Sequence, residues 1–234
     1  LKIEVKKMNV SDIISDSIKY PSSNWGKVLI LGVICIACIL VIPIFLVYGY
    51  VFRIIKATLA GMDELPEFDE IGEMFIDGLK IFVVGIVYAI PVWIIAAIIG
   101  LITGAGAGTT STALDPTMVW AILGSNIIFI IVALIVGLVE IMAIVNMAYY
   151  NGELGAAFRF SEILDKIAQI GWGKYIVTYI VIAVIGCIAF LIGMLTMIIL
   201  IGFLLLPLVI LPYIAMFSSR AIALLYASTE EAVE

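Results

Sequence analysis

The sequence predicts an all-α integral membrane protein of about six transmembrane helices, with a short first hairpin, amphipathic interfacial helices and an internal repeat. Three observations carry this. The 234 residues are 65% hydrophobic and only 13% charged, with a mean hydropathy of +1.28. A soluble domain is nearer half apolar and a quarter charged, so water is not the solvent for most of this surface. Long apolar runs then alternate with short polar connectors, and the connectors resemble one another.

Composition also narrows the chemistry. The formal charge is −6, from 12 basic and 18 acidic residues. That balance speaks against nucleic acid as a partner, because phosphate binding needs a concentrated basic surface. Histidine is absent, which removes the commonest general base and metal ligand together. Cys35 and Cys38 form a C-x-x-C, but with Cys187 they lie in apolar runs and read as packing residues. No catalytic residue, metal ligand or cofactor is expected. The start of the sequence has no apolar core of a cleavable signal peptide, so the first apolar run reads as a retained membrane segment.

The elements follow in order. Residues 1–26 form a polar, amphipathic segment; 27–60 a short transmembrane hairpin meeting at Ile42-Pro43; 61–80 an acidic connector. Residues 81–150 hold two transmembrane helices joined by a Gly/Thr-rich loop at 103–117. Residues 151–173 hold another interfacial helix. Residues 174–228 form a hairpin turning near Gly193-Met194-Leu195-Thr196, kinked at Pro207 and Pro212, and 229–234 are a tail. The loop at 103–117 has no Lys or Arg and belongs outside, which puts Arg159, Lys166, Lys174, Lys56 and Lys80 inside. With 27–60 as a hairpin all 12 basic residues fall on the cytoplasmic side, together with both termini of a cell-membrane protein. With a single helix there, the N-terminal lysines would lie outside. The 34 residues are short for two crossings, so the hairpin reads as thin, tilted or re-entrant.

Three connectors share a plan. Val10-Ser-Asp-Ile-Ile14 leads to Trp25-Gly26-Lys27, Phe160-Ser-Glu-Ile-Leu164 leads to Trp172-Gly173-Lys174, and Phe68-Asp-Glu-Ile-Gly72 leads to Asp77-Gly78-Leu79-Lys80. Each sets Ser or Asp at a helix start, then apolar residues at helical spacing. They predict interfacial helices at roughly 9–20, 68–79 and 160–170. Arg53 stands eight residues before Gly61 and Arg220 eight before Ser228, so the first and last hairpins read as similar units.

Tyr20-Pro21, Trp25-Gly26-Lys27, Pro43…Gly49-Tyr50…Arg53, and above all Glu64-Leu65-Pro66-Glu67-Phe68-Asp69 with Asp77-Gly78-Leu79-Lys80, carry a likeness. The chain resembles an archaeal and bacterial family of multi-pass membrane proteins known only as a domain of unknown function. More distantly it is similar to membrane domains of glycerophosphodiester phosphodiesterases. The resemblance implies a fold and an archaeal-like source, and transfers no activity or site residue.

Lipid makes charge expensive, so the charges inside apolar runs are the candidate site. Glu140, Arg53 and Arg220 are expected at similar depth, with Asn146 nearer the interface. As a pocket, two arginines could hold a phosphate or carboxylate, a lipid head group included. As plain structure, Glu140 would pair with Arg53 or Arg220. The acidic run from Asp63 to Asp77 matches no calcium loop and reads as a solvated surface. Gly104-Ala-Gly-Ala-Gly108 lacks the lysine of a phosphate loop and reads as a tether. Three functions remain open. The first is a non-catalytic scaffold or accessory subunit acting on membrane lipids, protein partners or copies of itself. The second is a small transporter or channel with its path at Glu140, Arg53 and Arg220. The third and least supported is an intramembrane lipid-modifying enzyme.

Overall fold

A computed structural model describes residues 8–107, 116–197 and 202–228. Among these residues every regular element is a helix: the protein is an all-α, multi-pass membrane protein. The N-terminal Lys2, Lys6 and Lys7, most of the predicted outer loop with Asp115, and the 229–234 tail lie outside the described residues.

Helix α1 (Val10–Ser22) starts at Asn9, whose side chain accepts from the Asp12 N–H while Asp12 accepts from the Asn9 N–H. This reciprocal cap satisfies two donors that a helix start leaves free. Helix α2 (Trp25–Ala37) follows after an 80° bend, capped by the Asn24 side chain. A short 3-10 turn (Cys38–Leu40) ends α2, and helix α3 (Pro43–Leu59) returns with proline at its first position, where the missing N–H does no harm. The chain turns at Val41, which takes a φ of 67°.

Helix α4 (Ile71–Ala107) is continuous. The separate interfacial helix expected at 68–79 is therefore the first turns of α4. Nothing between Asp77 and Ile81 stops a helix, since Gly78 is helical and Lys80 pairs with Asp77 one turn back. Gly78 is required for packing instead: a Cβ there would collide with the Phe45 carbonyl, and one on Gly49 would collide with the Met74 carbonyl. The backbones of α3 and α4 touch at these two glycines. The predicted tether is shorter than expected as well, because Gly104 to Ala107 belong to α4.

Helix α5 (Pro116–Tyr149) leads through a 3-10 turn (Leu154–Phe158) to α6 (Phe160–Ile170) and α7 (Trp172–Thr196). Helices α8 (Gly202–Leu205) and α9 (Leu211–Ala227) flank a π-helical turn, Leu206–Ile210. Pro207 and Pro212 remove two N–H donors here, and the widened turn absorbs the loss. Helix α7 runs through the predicted break at Gly193–Thr196, so the turn of the last hairpin falls beyond Thr196.

Four segments are long and apolar enough to cross a membrane: Ile71–Leu101, Asn126–Tyr149, Trp172–Thr196 and Gly202–Ala227. The bent pair α1 and α2 would make a fifth if counted as one broken span. The six spans expected from charge placement count α2 and α3 separately, and neither reaches that length.

The chain divides into two compact units, 1–82 with 142–234 and 83–141. In the first, Ile13, Ser17 and Tyr20 of α1 are buried and the helix packs along α9. In α6 the buried residues are Ile163, Ile167 and Ile170. Both amphipathic helices thus turn part of their apolar stripe into the protein and leave Ile18, Phe160 and Leu164 exposed. Tyr50, Leu65, Met74 and Met216 join Tyr20, Val28 and Leu31 in one apolar cluster. The second unit presents Trp93, Ile94, Ile127, Ile131 and Leu134 on its outside, as a lipid-facing pair of helix segments should.

Candidate functional site

The polar chemistry of the first unit gathers on the acidic connector after α3. Gly61, at φ 74°, ends α3 in the left-handed conformation, with the Met62 N–H bonded to the Ala57 carbonyl and the Gly61 N–H to Thr58. This is the usual glycine stop. Pro66 then keeps the next residues from winding up. The non-helical backbone leaves carbonyls without backbone partners, and buried carbonyls must find others.

Side chains supply them. Arg220 donates to the Met62 carbonyl at 2.7 Å, Tyr20 to Glu64 at 3.1 Å, and Lys27 to Leu65 at 2.6 Å. Tyr50 donates to Pro66 at 3.0 Å. Arg53 alone reaches three: Glu67 at 3.2 Å, Asp69 at 2.7 Å and Glu70 at 3.1 Å. Phe68 stacks on the Tyr50 ring, 4.0 Å between centroids and 4° from parallel. Leu65 points into the apolar cluster and anchors the middle of the connector.

The carboxylates complete the clamp. Arg220 pairs with Asp16 at 2.9 Å and Asp63 at 2.6 Å, while its own side chain is 3% exposed. Arg53 pairs with Asp69 at 2.7 Å, and Lys27 with Glu67 at 2.8 Å. The guanidiniums face inward and the acids outward: the side chains of Asp63, Glu67 and Asp69 are 87%, 74% and 68% exposed. Burial pushes the Tyr20 phenol up to about 12, against the opposing pull of Arg220 beside it.

A second polar knot lies next to the first. Asp77, largely buried, accepts from Lys56 at 2.9 Å and from Lys80 at 3.1 Å. Gly152, at φ 84°, brings the end of α5 against both ammonium groups. An open cavity of about 540 Å³ runs between the knot and the connector, with Lys56, Glu70, Glu73, Asp77 and Asn151 on its walls. Among the described residues no three Cys, Asp or Glu side chains converge as metal ligands.

Of the four residues singled out by sequence, Arg53 and Arg220 belong to the connector clamp. The expected pairing of these arginines with Glu140 is replaced by acids far closer to the polar end of their helices: Asp69 and Glu70 for one, Asp16 and Asp63 for the other. Glu140 belongs to the second unit, where its carboxylate lies against Gly85 on the facing helix. Asn146 is fully buried in the first unit and joins three segments: it donates to the Ala156 carbonyl at 3.0 Å and accepts from the Tyr226 hydroxyl at 2.6 Å. The acidic run is likewise more than a solvated surface, since its backbone is held at seven carbonyls and Asp77 is buried. Sequence reasoning missed Lys27, Tyr20, Asp16 and Asp63. The usable signal was that Arg53, in an apolar helix, stands just ahead of the densest acidic stretch of the chain.

A family model described as Protein of unknown function (DUF4013) matches residues 30–198. The chain belongs to this family. No curated protein, glycerophosphodiester phosphodiesterases included, and no solved structure matches it.

Proposed function

We propose that this family member is a non-catalytic scaffold or accessory subunit of the cell membrane, acting through contacts with lipids, a protein partner or further copies of itself. One observation supports the reading. Three cations of the first unit, Arg53, Arg220 and Lys27, are engaged with the chain's own connector. What the clamp leaves facing water is a fixed row of carboxylates, held by a backbone that does not need a partner to become ordered. Such a row suits display better than turnover, because binding to a pre-ordered surface avoids the entropy of ordering it. The positive-inside bias puts that row, with both termini, on the cytoplasmic side.

Native mass spectrometry of the protein, released from gently solubilised membranes, tests this. Retention of a lipid, a protein or a second copy at defined stoichiometry is the expected result. Solute or ion flux through reconstituted vesicles that collapses on Glu140→Gln would overturn it in favour of transport.

A further inference from the structure

The hairpin of α2 and α3 ends in four consecutive, strongly exposed apolar residues. Ile39, Leu40, Val41 and Ile42 are 89%, 70%, 66% and 65% exposed. From Val28 to Val47 there is no charged, hydroxyl or amide side chain. A tip of this kind belongs in hydrocarbon, and the question is how far into the bilayer it reaches.

The polar anchors at the base of the hairpin set the scale. On the returning arm, Pro43 is ten residues above Arg53, about 15 Å along a helix. Arg53 is bonded to a connector whose carboxylates are in water. Allowing on the order of 6 Å for the reach of the arginine side chain, the tip stands roughly 21 Å beyond the water boundary. On the entering arm, Lys27 is bonded to the same connector. From there the remainder of α2 and its 3-10 turn give roughly 22 Å before any tilt. A hydrocarbon core is about 30 Å thick. Neither arm crosses it.

The turn itself is finished for a dry environment. The N–H groups of Val41, Ile42, Ile44 and Phe45 bond to the carbonyls of Cys38, Leu40, Val41 and Ile42, at 2.9, 2.8, 3.0 and 3.2 Å. Pro43 has no N–H to satisfy. Inside a bilayer a free donor has no water to bond, and this turn leaves none of the five residues with one. A turn emerging into water has no need of such closure.

We propose that α2 and α3 form a re-entrant wedge. It enters one leaflet from the side of Lys27 and Arg53, ends among the acyl chains near the bilayer midplane, and returns to the same side. The occupant of its exposed face is the acyl-chain layer of that leaflet, not outer water and not a protein. Because the hairpin still starts and finishes on one side, every other assignment from charge placement is unchanged. The inference is independent of the scaffold reading and would stand if the protein proved to be a transporter.

The test uses the full chain with Cys35, Cys38 and Cys187 replaced by alanine, and one new cysteine, Leu40→Cys or Ile39→Cys. Ser161→Cys, on exposed α6, marks the connector side. In sealed, oriented vesicles a membrane-impermeant maleimide should label Ser161→Cys from one side. It should leave the tip cysteines at background from both sides until detergent is added. A nitroxide on the same tip cysteines should be broadened by oxygen and not by an aqueous nickel chelate, with a depth near the bilayer centre. Labelling of the tip from the side opposite Ser161→Cys would overturn the wedge in favour of two full crossings. Labelling from the same side would show a tip in water and overturn it too. A nitroxide shielded from both oxygen and nickel would mean protein covers the tip, which also overturns it. Each variant counts only if it elutes as a single species with the parent's volume, and two tip positions guard against one that misfolds.

Discussion

The first and last hairpins begin alike and end differently. Each enters through a Trp-Gly-Lys sequence, each follows an amphipathic helix, and each carries an arginine eight residues before its exit. Yet the arms of the first are 13 and 17 residues long, and those of the last are 25 and 26. Both turns are apolar in sequence, so composition does not separate them. Length measured from the polar anchors does. The anchoring differs too: Lys27 holds the connector, whereas Lys174 donates to the Met8 carbonyl at 3.0 Å and Ser228 at 2.9 Å. A shared sequence plan can therefore serve a segment long enough to cross and one that is not.

The sharpest way to break the comparison is through the two arginines. Arg220 depends on two carboxylates and one carbonyl, while buried almost completely. Replacing both counter-charges, Asp16→Asn with Asp63→Asn, strands a buried guanidinium and should destabilise by on the order of 3–5 kcal/mol. Chemical denaturation in detergent reads this, and a loss below about 1 kcal/mol would mean the guanidinium finds water instead.

Next come the glycines. Gly49→Ala and Gly78→Ala force apart backbones that touch, and each should cost about 1–3 kcal/mol. Gly186→Ala, on α7, meets only the Ile214 side chain at an ordinary 3.5 Å and should be close to neutral. Thermal melts of the three variants side by side check whether the backbone contacts at Gly49 and Gly78 matter more than the side-chain contact at Gly186. Equal shifts would contradict that.

Tyr20 makes a pH test. Its folded value, about 12, lies above its ordinary value of 10, so its contribution is complete below the ordinary value. It is lost as pH rises from there through the folded value. Alkaline unfolding followed by circular dichroism should show this loss, and Tyr20→Phe should remove that part of the pH dependence. An unchanged alkaline limb in Tyr20→Phe would show that another group controls it.

The smallest effect is expected at Asp69. Arg53 retains three connector carbonyls when this exposed carboxylate is neutralised, so Asp69→Asn should change stability by less than about 1 kcal/mol. A larger loss would promote Arg53 to the dependence shown by Arg220.

Local patterns were legible. Caps and helical spacing placed α1 and α6 within two residues of where they lie, and Pro43 marked the bend between α2 and α3. Pro207 foretold the irregular turn ahead of α9. The connector clamp was not legible, because its partners are far apart in sequence: Arg220 to Asp16 spans 204 positions and Arg220 to Asp63 spans 157. Nothing in a residue's neighbours reports such a pair. The count of six spans is a separate matter, since four or five segments qualify by length and composition. Charge placement reads only the side on which a segment starts and finishes, and a hairpin that dips returns to the same side as one that crosses. The continuity of α4 escaped because a connector rich in acids looks alike whether it ends a helix or begins one.

One residue at the tip carries a last consequence. Val41 sits at φ 67°, where a β-branched side chain is strained by roughly 1–3 kcal/mol and glycine would sit at ease. In an aqueous loop that trade would be a poor one. In the proposed wedge, among acyl chains, it is sensible, since a glycine would bare its peptide group, and the isopropyl group roofs it over. The corner is insulated first and comfortable second.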